Sequence, residues 1–355
     1  MKNTSSSLLP DSTSTSLREH WLTQPEKFAG LRQIEIAQAL GVSEGEWVDA
    51  CRGHESQRLE DDPKSFLQDL PKLGDVMALT RNPSAVHEKT GSFDHIEFFD
   101  RMHMAQVANH EIDLRIFLNH WHRLYAVTVL KNGQPQHSLQ VFDSTGTAVL
   151  KIFMRPETRV QAWQEFVAAR INRDPHPFHT ESIPAPSYAA PDTVNLQEFR
   201  LAWDQLKDTH EFFALLRRFQ INRIDALRIA GGHRTQSVDP AGLADFLKTA
   251  ASRKAPIMVF VANRGCIQIH TGPVEKVVCF KQWLNVLDER FNLHLREDHI
   301  AEAWIVRKPT LDGVVTSLEL YNSDGQEIAM LFGERKPGQK ERKDWRDLID
   351  TLNQL

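Results

Sequence analysis

The chain has 355 residues, 41% of them hydrophobic and 25% charged, which is ordinary globular composition with length enough for more than one sizeable core. Its 42 basic and 47 acidic residues leave a net charge of −5 with no basic block, so nucleic acid is not expected as the main partner; no apolar run approaches the length of a membrane span. Cys51, Cys266 and Cys279 stand far apart without a Cys-x-x-Cys pair, which argues against a disulfide framework and a zinc ribbon.

Residues 1–17, "MKNTSSSLLPDSTSTSL", carry one Lys and only a Leu-Leu pair as apolar core. They read as a disordered Ser/Thr tail rather than a signal peptide, which places the protein in the cytoplasm. From residue 18 to 170 helical patterns give way to strands. Runs such as "VMALTRNPSAVHEKTG" (76–91) and "SLQVFDSTGTAVLKIF" (138–153) are punctuated by hairpin signals at "KNGQ" and "DSTG", and a Trp-bearing helix, "QAWQEFVAARI", closes the segment. "NRDPHPFHTESIPAPSYAAPDTV" follows, with five prolines and no periodicity; a linker is placed at 171–190.

Residues 191–355 then repeat the same order. "IMVFVANRGCIQIHTG" (257–272) matches the first strand run at an offset of 181, with Met77, Asn82, Thr90 and Gly91 facing Met258, Asn263, Thr271 and Gly272. "SLELYNSDGQEIAMLF" (317–332) matches the second at an offset of 179. The chain is therefore a tandem duplication, and because strand follows strand without long helices between, each half is α+β: helices plus a large antiparallel sheet.

Walker, Gly-x-Gly-x-x-Gly, His-Glu-x-x-His and Gly-x-Ser-x-Gly signatures are missing. One feature asks for chemistry. Phe199, Trp203, Leu206, His210 and Phe213 are spaced 4, 3, 4 and 3, which predicts one face of a continuous helix with His210 among apolar neighbours. Such a histidine is either a buried structural residue or a ligand for iron or zinc. Arg115 interrupts the apolar run "IDLRIF", two residues before Phe117, and the repeat sets His294 in its place. Arg223, Lys308 and Arg335, taken singly, read as solvated charges or surface ion pairs.

The stretches "DTHEFFALLRR", "IDLRIFLNHW", "VFVANRGCIQIHTGPVEKV" and "IAEAWIVRKPTLDGVVTSLELYNSDGQEIAMLFGER" resemble, in order, those of the bacterial haem-utilisation proteins of the HemS, ChuS and PhuS type, the hemin-degrading factors. The resemblance runs from about residue 18 to the C-terminus. It implies haem b as ligand, His210 as proximal iron ligand, Arg115 on the distal side, and Phe117, Arg223, Phe260, Lys308, Phe332 and Arg335 in the pocket or at the propionates. Phe332 stands where the family often has tyrosine, and His87 matches a position implied as a secondary haem site. The function so implied is cytoplasmic acceptance of imported haem, then delivery or degradation to release iron. Degradation would draw on an external reductant and oxygen or peroxide. A haem ABC importer and a haem oxygenase are the implied partners. The competing reading is a protein-interaction module without haem, with His210 simply buried.

Overall fold

A computed structural model describes residues 12–335 and 338–352. Of the expected tail, residues 1–11 lie outside the described residues, and helix α1 (Ser12–Thr23) begins inside the rest. The N-terminal half continues through α2 (Pro25–Phe28), α3 (Gln33–Leu40), α4 (Glu44–Ala50), β1 (Ser56–Leu59) and α5 (Pro63–Asp69). Its strands β2 (Gly74–Arg81), β3 (Ala85–Gly91), β4 (Ile96–Phe99), β5 (Met104–Ala108), β6 (Asp113–Phe117), β7 (Arg123–Lys131), β8 (Gln134–Phe142) and β9 (Ala148–Thr158) lead to α6 (Val160–Ala168). Residues 172–190 carry no helix or strand.

The second half repeats the order: α7 (Leu196–Asp204), α8 (Glu211–Arg218), α9 (Arg223–Ala230), β10 (Thr235–Val238), α10 (Leu243–Ser252), β11 (Ile257–Ala262), β12 (Cys266–Gly272) and β13 (Val277–Phe280). There follow β14 (Trp283–Leu287), β15 (Phe291–Arg296), β16 (Glu302–Thr310), β17 (Gly313–Tyr321), β18 (Glu327–Gly333) and α11 (Lys343–Leu352). The turns are where the sequence signals put them. Asn132 and Gly133 take positive φ between β7 and β8, as a two-residue hairpin requires.

The halves are not side by side as the linear repeat suggests. One antiparallel sheet runs β1-β7-β8-β9-β2-β3-β15-β14-β13 and the other β10-β16-β17-β18-β11-β12-β6-β5-β4. Each half thus lends its three middle strands to the other's sheet, with β3 pairing β15 and β12 pairing β6. Asn82 and Asn263, matched in the repeat, pin this exchange. The Asn82 amide donates to the Ala262 and Ile328 carbonyls, while that of Asn263 donates to the Arg81 and Val149 carbonyls.

The two sheets pack through inner faces. One core joins Val76, Ala78, Leu139 and Ile152 to the lent Val107, Leu114 and Ile116; the other joins Val259, Leu318 and Leu331 to Leu293 and Leu295. Trp163 and Trp345 cap these cores from the two closing helices. The outer faces are left for other uses. On the second sheet, α7 to α9 cover only the end near β16 and β17, through a cluster that includes Trp203, Phe212, Val306 and Tyr321.

Candidate functional site

Period-2 alternation decides which side chains reach the outer face of the second sheet. On β6, Leu114 and Ile116 point to the core, so Arg115 and Phe117 point outward, half-buried. Arg115 lies opposite Ile267 on β12; Ile269 lies opposite Phe260 on β11; Phe260 lies opposite Met330 on β18; and Met258 lies opposite Phe332. The rings of Phe260 and Phe332 meet edge to face at 5.1 Å. Met258, Phe260, Ile267, Met330 and Phe332 make a half-buried apolar floor, with Ile269 buried beneath it. From β17 to β6 it spans four strand spacings, roughly 19 Å.

At one end of the floor stands a cluster of buried charge. Glu319 on β17 is fully buried and accepts from Arg223 Nε (2.8 Å) and Nη2 (2.7 Å), Lys308 Nζ (3.0 Å), Ser317 Oγ (2.8 Å) and Tyr321 Oη (2.7 Å). Burial opposes its charge, but Arg223 and then Lys308 outweigh that and hold the carboxyl well below its usual range. Burial brings the Lys308 ammonium down to about 8 in spite of Glu319. The same cations grip α8: Lys308 Nζ lies 4.6 Å and the Arg223 guanidinium 5.1 Å from the centre of the Phe212 ring. Trp203 packs edge-on to that ring at 4.8 Å.

The helix so anchored presents His210 just before its first residue. The helical stripe expected through this histidine is broken. α7 ends at Asp204 and α8 begins at Glu211, so Phe199, Trp203 and Leu206 are buried while Phe213 is 58% exposed and the His210 side chain 91% exposed. A buried structural His210 is therefore excluded. The cause is the loop chemistry of 207–211: the Glu211 carboxylate accepts from the Lys207 amide (2.7 Å), and Asp208 Oδ1 accepts from the His210 amide (2.7 Å) and lies 2.6 Å from its Nδ1. These hydrogen bonds, backbone first, hold the Asp208 carboxyl below its usual range, with Arg335 adding a nearby positive charge.

The other expected positions divide clearly. Arg115, Phe117, Phe260, Phe332, Lys308 and Arg223 share the outer face or its buried end. Arg335 follows β18, partly buried, with only a 3.9 Å approach to Asp312. Arg223 and Lys308 are not the solvated charges they resemble singly, being counter-ions of Glu319. Arg115 is ion-paired to Asp113. Sequence reading missed Glu319, Asp208 and the Met258, Ile267 and Met330 floor. The signal for Glu319 was present: in "SLELY" the polar Ser317, Glu319 and Tyr321 alternate with the core residues Leu318 and Leu320.

His87 does not belong here. It faces the seam between the sheets, fully buried, with neither ring nitrogen hydrogen-bonded, 5.0 Å from the Phe291 ring centre. A secondary haem site at His87 is corrected on this ground, since no surface adjoins the ring. Burial, then His270 and Lys89, push its imidazole well below the ordinary value of 6.5. The folded state therefore keeps it neutral while the unfolded chain takes up a proton as pH falls below that value, and stability is lost on acidification. His87→Leu is expected to leave haem spectra unchanged and to make acid unfolding between about pH 6.5 and 5 shallower, by up to ~1.4 kcal/mol per pH unit. Urea melts across that pH range check it; a changed Soret band would return His87 to the haem chemistry.

The outer face of the first sheet is the same geometry with different chemistry. Glu44 begins α4 as Arg223 begins α9, and it accepts from Lys151 Nζ at 2.7 Å and pairs with Arg81. Gln140 stands opposite Lys151 as Glu319 stands opposite Met330, and His294 opposite Val86 as Arg115 opposite Ile267. At the start of α3 are Leu31 and Arg32, with no histidine. The second half has the exposed His210 at the position matched by Leu31 in the first.

A family model described as "Haemin-degrading HemS.ChuX domain" matches this chain twice, over residues 41–169 and 220–352. The hemin transport protein HemS of Yersinia enterocolitica is 38% identical over 341 residues, covering 96% of this chain and 98% of that protein. Among solved structures, holo-PhuS, a heme-binding protein from Pseudomonas aeruginosa, superposes with a TM-score of 0.91 at 40% identity, covering 96% and 99% of the two chains. ChuS, an E. coli heme oxygenase, does so at 0.85 and 36%, covering 93% and 98%.

Proposed function

The chain belongs to the haemin-degrading HemS.ChuX domain family, and from that premise we propose that it accepts imported haem in the cytoplasm and commits it to iron release. The observation that carries this reading is an exposed His210 imidazole at the start of a helix whose Phe212 rests on Lys308 and Arg223, the buried end of the sheet face that carries Phe260, Phe332 and Arg115. The residues suit the group. A ferric porphyrin needs an axial nitrogen base, apolar cover for its faces and cations near its carboxylates. His210 supplies the first, Phe260, Phe332, Phe117 and Met258 the second, and Arg335 the third, with Arg115 left for the distal side. Arg223 and Lys308, neutralised by Glu319, hold Phe212 and thereby the helix that bears His210. A phenylalanine at 332 gives the floor a second ring in place of a hydroxyl.

Bound haem supplies the redox-active iron; electrons and oxygen or peroxide come from outside. The protein's part is to hold one axial position, exclude water from the porphyrin face and offer the Arg115 N–H groups across the floor. Two routes end in iron release, ring opening in place and delivery to a separate haem oxygenase after supply by an ABC importer. The open His210 side suits exchange with either partner.

Titration with hemin should give a sharp Soret band and a one-to-one stoichiometry. The haem-loaded protein is then given ascorbate and oxygen with catalase present. Loss of the band over repeated cycles with release of iron assigns degradation, whereas retention of the band with transfer of intact haem to an acceptor assigns delivery. Arg115→Ala should slow ring opening about 100-fold while changing affinity little, the size expected of one placed donor. Unchanged rates in that variant remove Arg115 from the mechanism. No Soret complex at all refutes the haem reading.

A further inference from the structure

The loop before α8 holds His210 in one chemical form before any ligand arrives. Asp208 Oδ1 accepts from the His210 backbone amide at 2.7 Å and lies 2.6 Å from Nδ1. A carboxylate only accepts, so the Nδ1 contact requires the proton on Nδ1, and in the neutral imidazole this leaves the electron pair on Nε2. Asp208 is itself held, its amide directed at Glu211 Oε2 (3.4 Å), and the neighbouring Lys207 carbonyl accepts from the Leu311 amide at 3.0 Å, tying the loop to the β16–β17 turn. An imidazole that is 91% exposed would otherwise turn freely and favour the Nε2–H form, which cannot bind a metal through Nε2.

We propose that Asp208 is the positioning residue of the haem site: it fixes the tautomer and ring orientation of His210 and strengthens its Nε2 as a donor. This rests on the haem reading above. Asp174 and His176 show the same contact, Oδ1 to Nδ1 at 2.6 Å, so the Asp-x-His turn is a local device of this chain. The His176 copy lies in the inter-half segment, its carbonyl accepting from Arg58, whereas the His210 copy begins the helix whose Phe212 rests on Lys308 and Arg223. Carboxylate partners of metal-bound histidines act in this way, and their loss costs 10- to 100-fold in metal affinity.

The test has one arm without haem and one with it. Nitrogen-15 NMR of the full-length apoprotein should show His210 with Nδ1 protonated, and Asp208→Ala should shift it to the Nε2–H form. In the haem-loaded protein, Asp208→Ala should raise the haem dissociation rate about tenfold. The ferrous Fe–His stretch should move to lower frequency, with Asp208→Asn intermediate in both. Circular dichroism melts matching the parent's establish that α8 is intact; if Asp208→Ala melts early, Asp208→Asn, which keeps an acceptor for the His210 amide, carries the comparison. An unchanged tautomer with dissociation within twofold of the parent overturns the proposal and leaves the haem reading standing. A parent that shows the Nδ1–H form yet yields no His-ligated haem complex overturns the haem reading itself, and the role given to Asp208 with it.

Discussion

His210→Ala is expected to raise the haem dissociation rate at least about 100-fold, beyond the range seen when only a partner of a ligand is lost, and to shift and broaden the Soret band. The size follows from the site's construction. The other nitrogen-bearing residues named for this site do not replace it: Arg115 is a cation held by Asp113, Lys308 by Glu319, and His294 belongs to the other sheet, with its Nδ1 2.7 Å from Asn285 Oδ1. The apolar floor remains, so the variant should still take up hemin weakly and without axial histidine, as a five-coordinate or water-ligated species. Stability should hardly change, because a side chain 91% exposed contributes little packing. Stopped-flow transfer to apomyoglobin, read with the absorption spectrum, measures both. A variant with the parent's spectrum and off-rate would remove His210 from the site. Free imidazole restoring the parent's spectrum would confirm that only the ligand was lost.

The second large effect is on stability. Glu319→Gln keeps the shape of the side chain and removes its charge, leaving Arg223 and Lys308 buried without their counter-ion. Breaking a buried pair by one partner costs about 3–5 kcal/mol, because the stranded cation keeps its desolvation penalty. Two features set the direction of partial escape. Glu327, 3.4 Å from Arg223 Nε, retains one negative partner for the guanidinium. Lys308, already brought down to about 8 by burial, should fall further and lose its proton at neutral pH. The double variant with Lys308→Met should therefore recover part of the loss. The pH profile has a definite sign. The Glu319 carboxyl is held below its ordinary value of 4.5, so its stabilisation is complete above that pH and is lost as pH falls toward the folded value. The parent's curve should drop more steeply than the variant's below about pH 4.5, and the two should converge in acid. Chemical denaturation at a series of pH values gives the curves; a variant within ~1 kcal/mol of the parent at pH 7 would show the cluster to be replaceable by neutral hydrogen bonds. Because Phe212 sits on the two cations, weakened haem retention should accompany the loss of stability.

How much of this was legible beforehand depends on the range of the interaction involved. The antiparallel class and the hairpins were readable because alternation along β11 and β17 and the Asn-Gly and Asp-x-x-Gly turns act within a few residues, and the repeat because matched residues such as Asn82 and Asn263 stand in the chain itself. Family resemblance then gathered Arg115, Phe260, Phe332 and Lys308, which share a sheet face in the fold, and Arg223, which reaches it from α9. His210 shows the limit. Spacing of 4 and 3 is blind to a helix break, and the break was set by side chains that cap the backbone at Asp208 and Glu211; the result is an exposed ligand where periodicity gave a buried one. Burial of charge was equally hidden. Lys308 and Arg223 look like surface residues until the strand register puts Glu319 between them, and His87 looks accessible until the second sheet closes over it. The exchange of strands is the clearest case. The strand runs at 76–91, 138–153, 257–272 and 317–332 were visible in the chain, yet alternation says only that β6 has an apolar face. Which sheet it joins was decided by tertiary packing, where pairing to β12 buries Leu114 and Ile116 in the first core and places Arg115 on the outer face of the sheet that also carries Phe260 and Phe332.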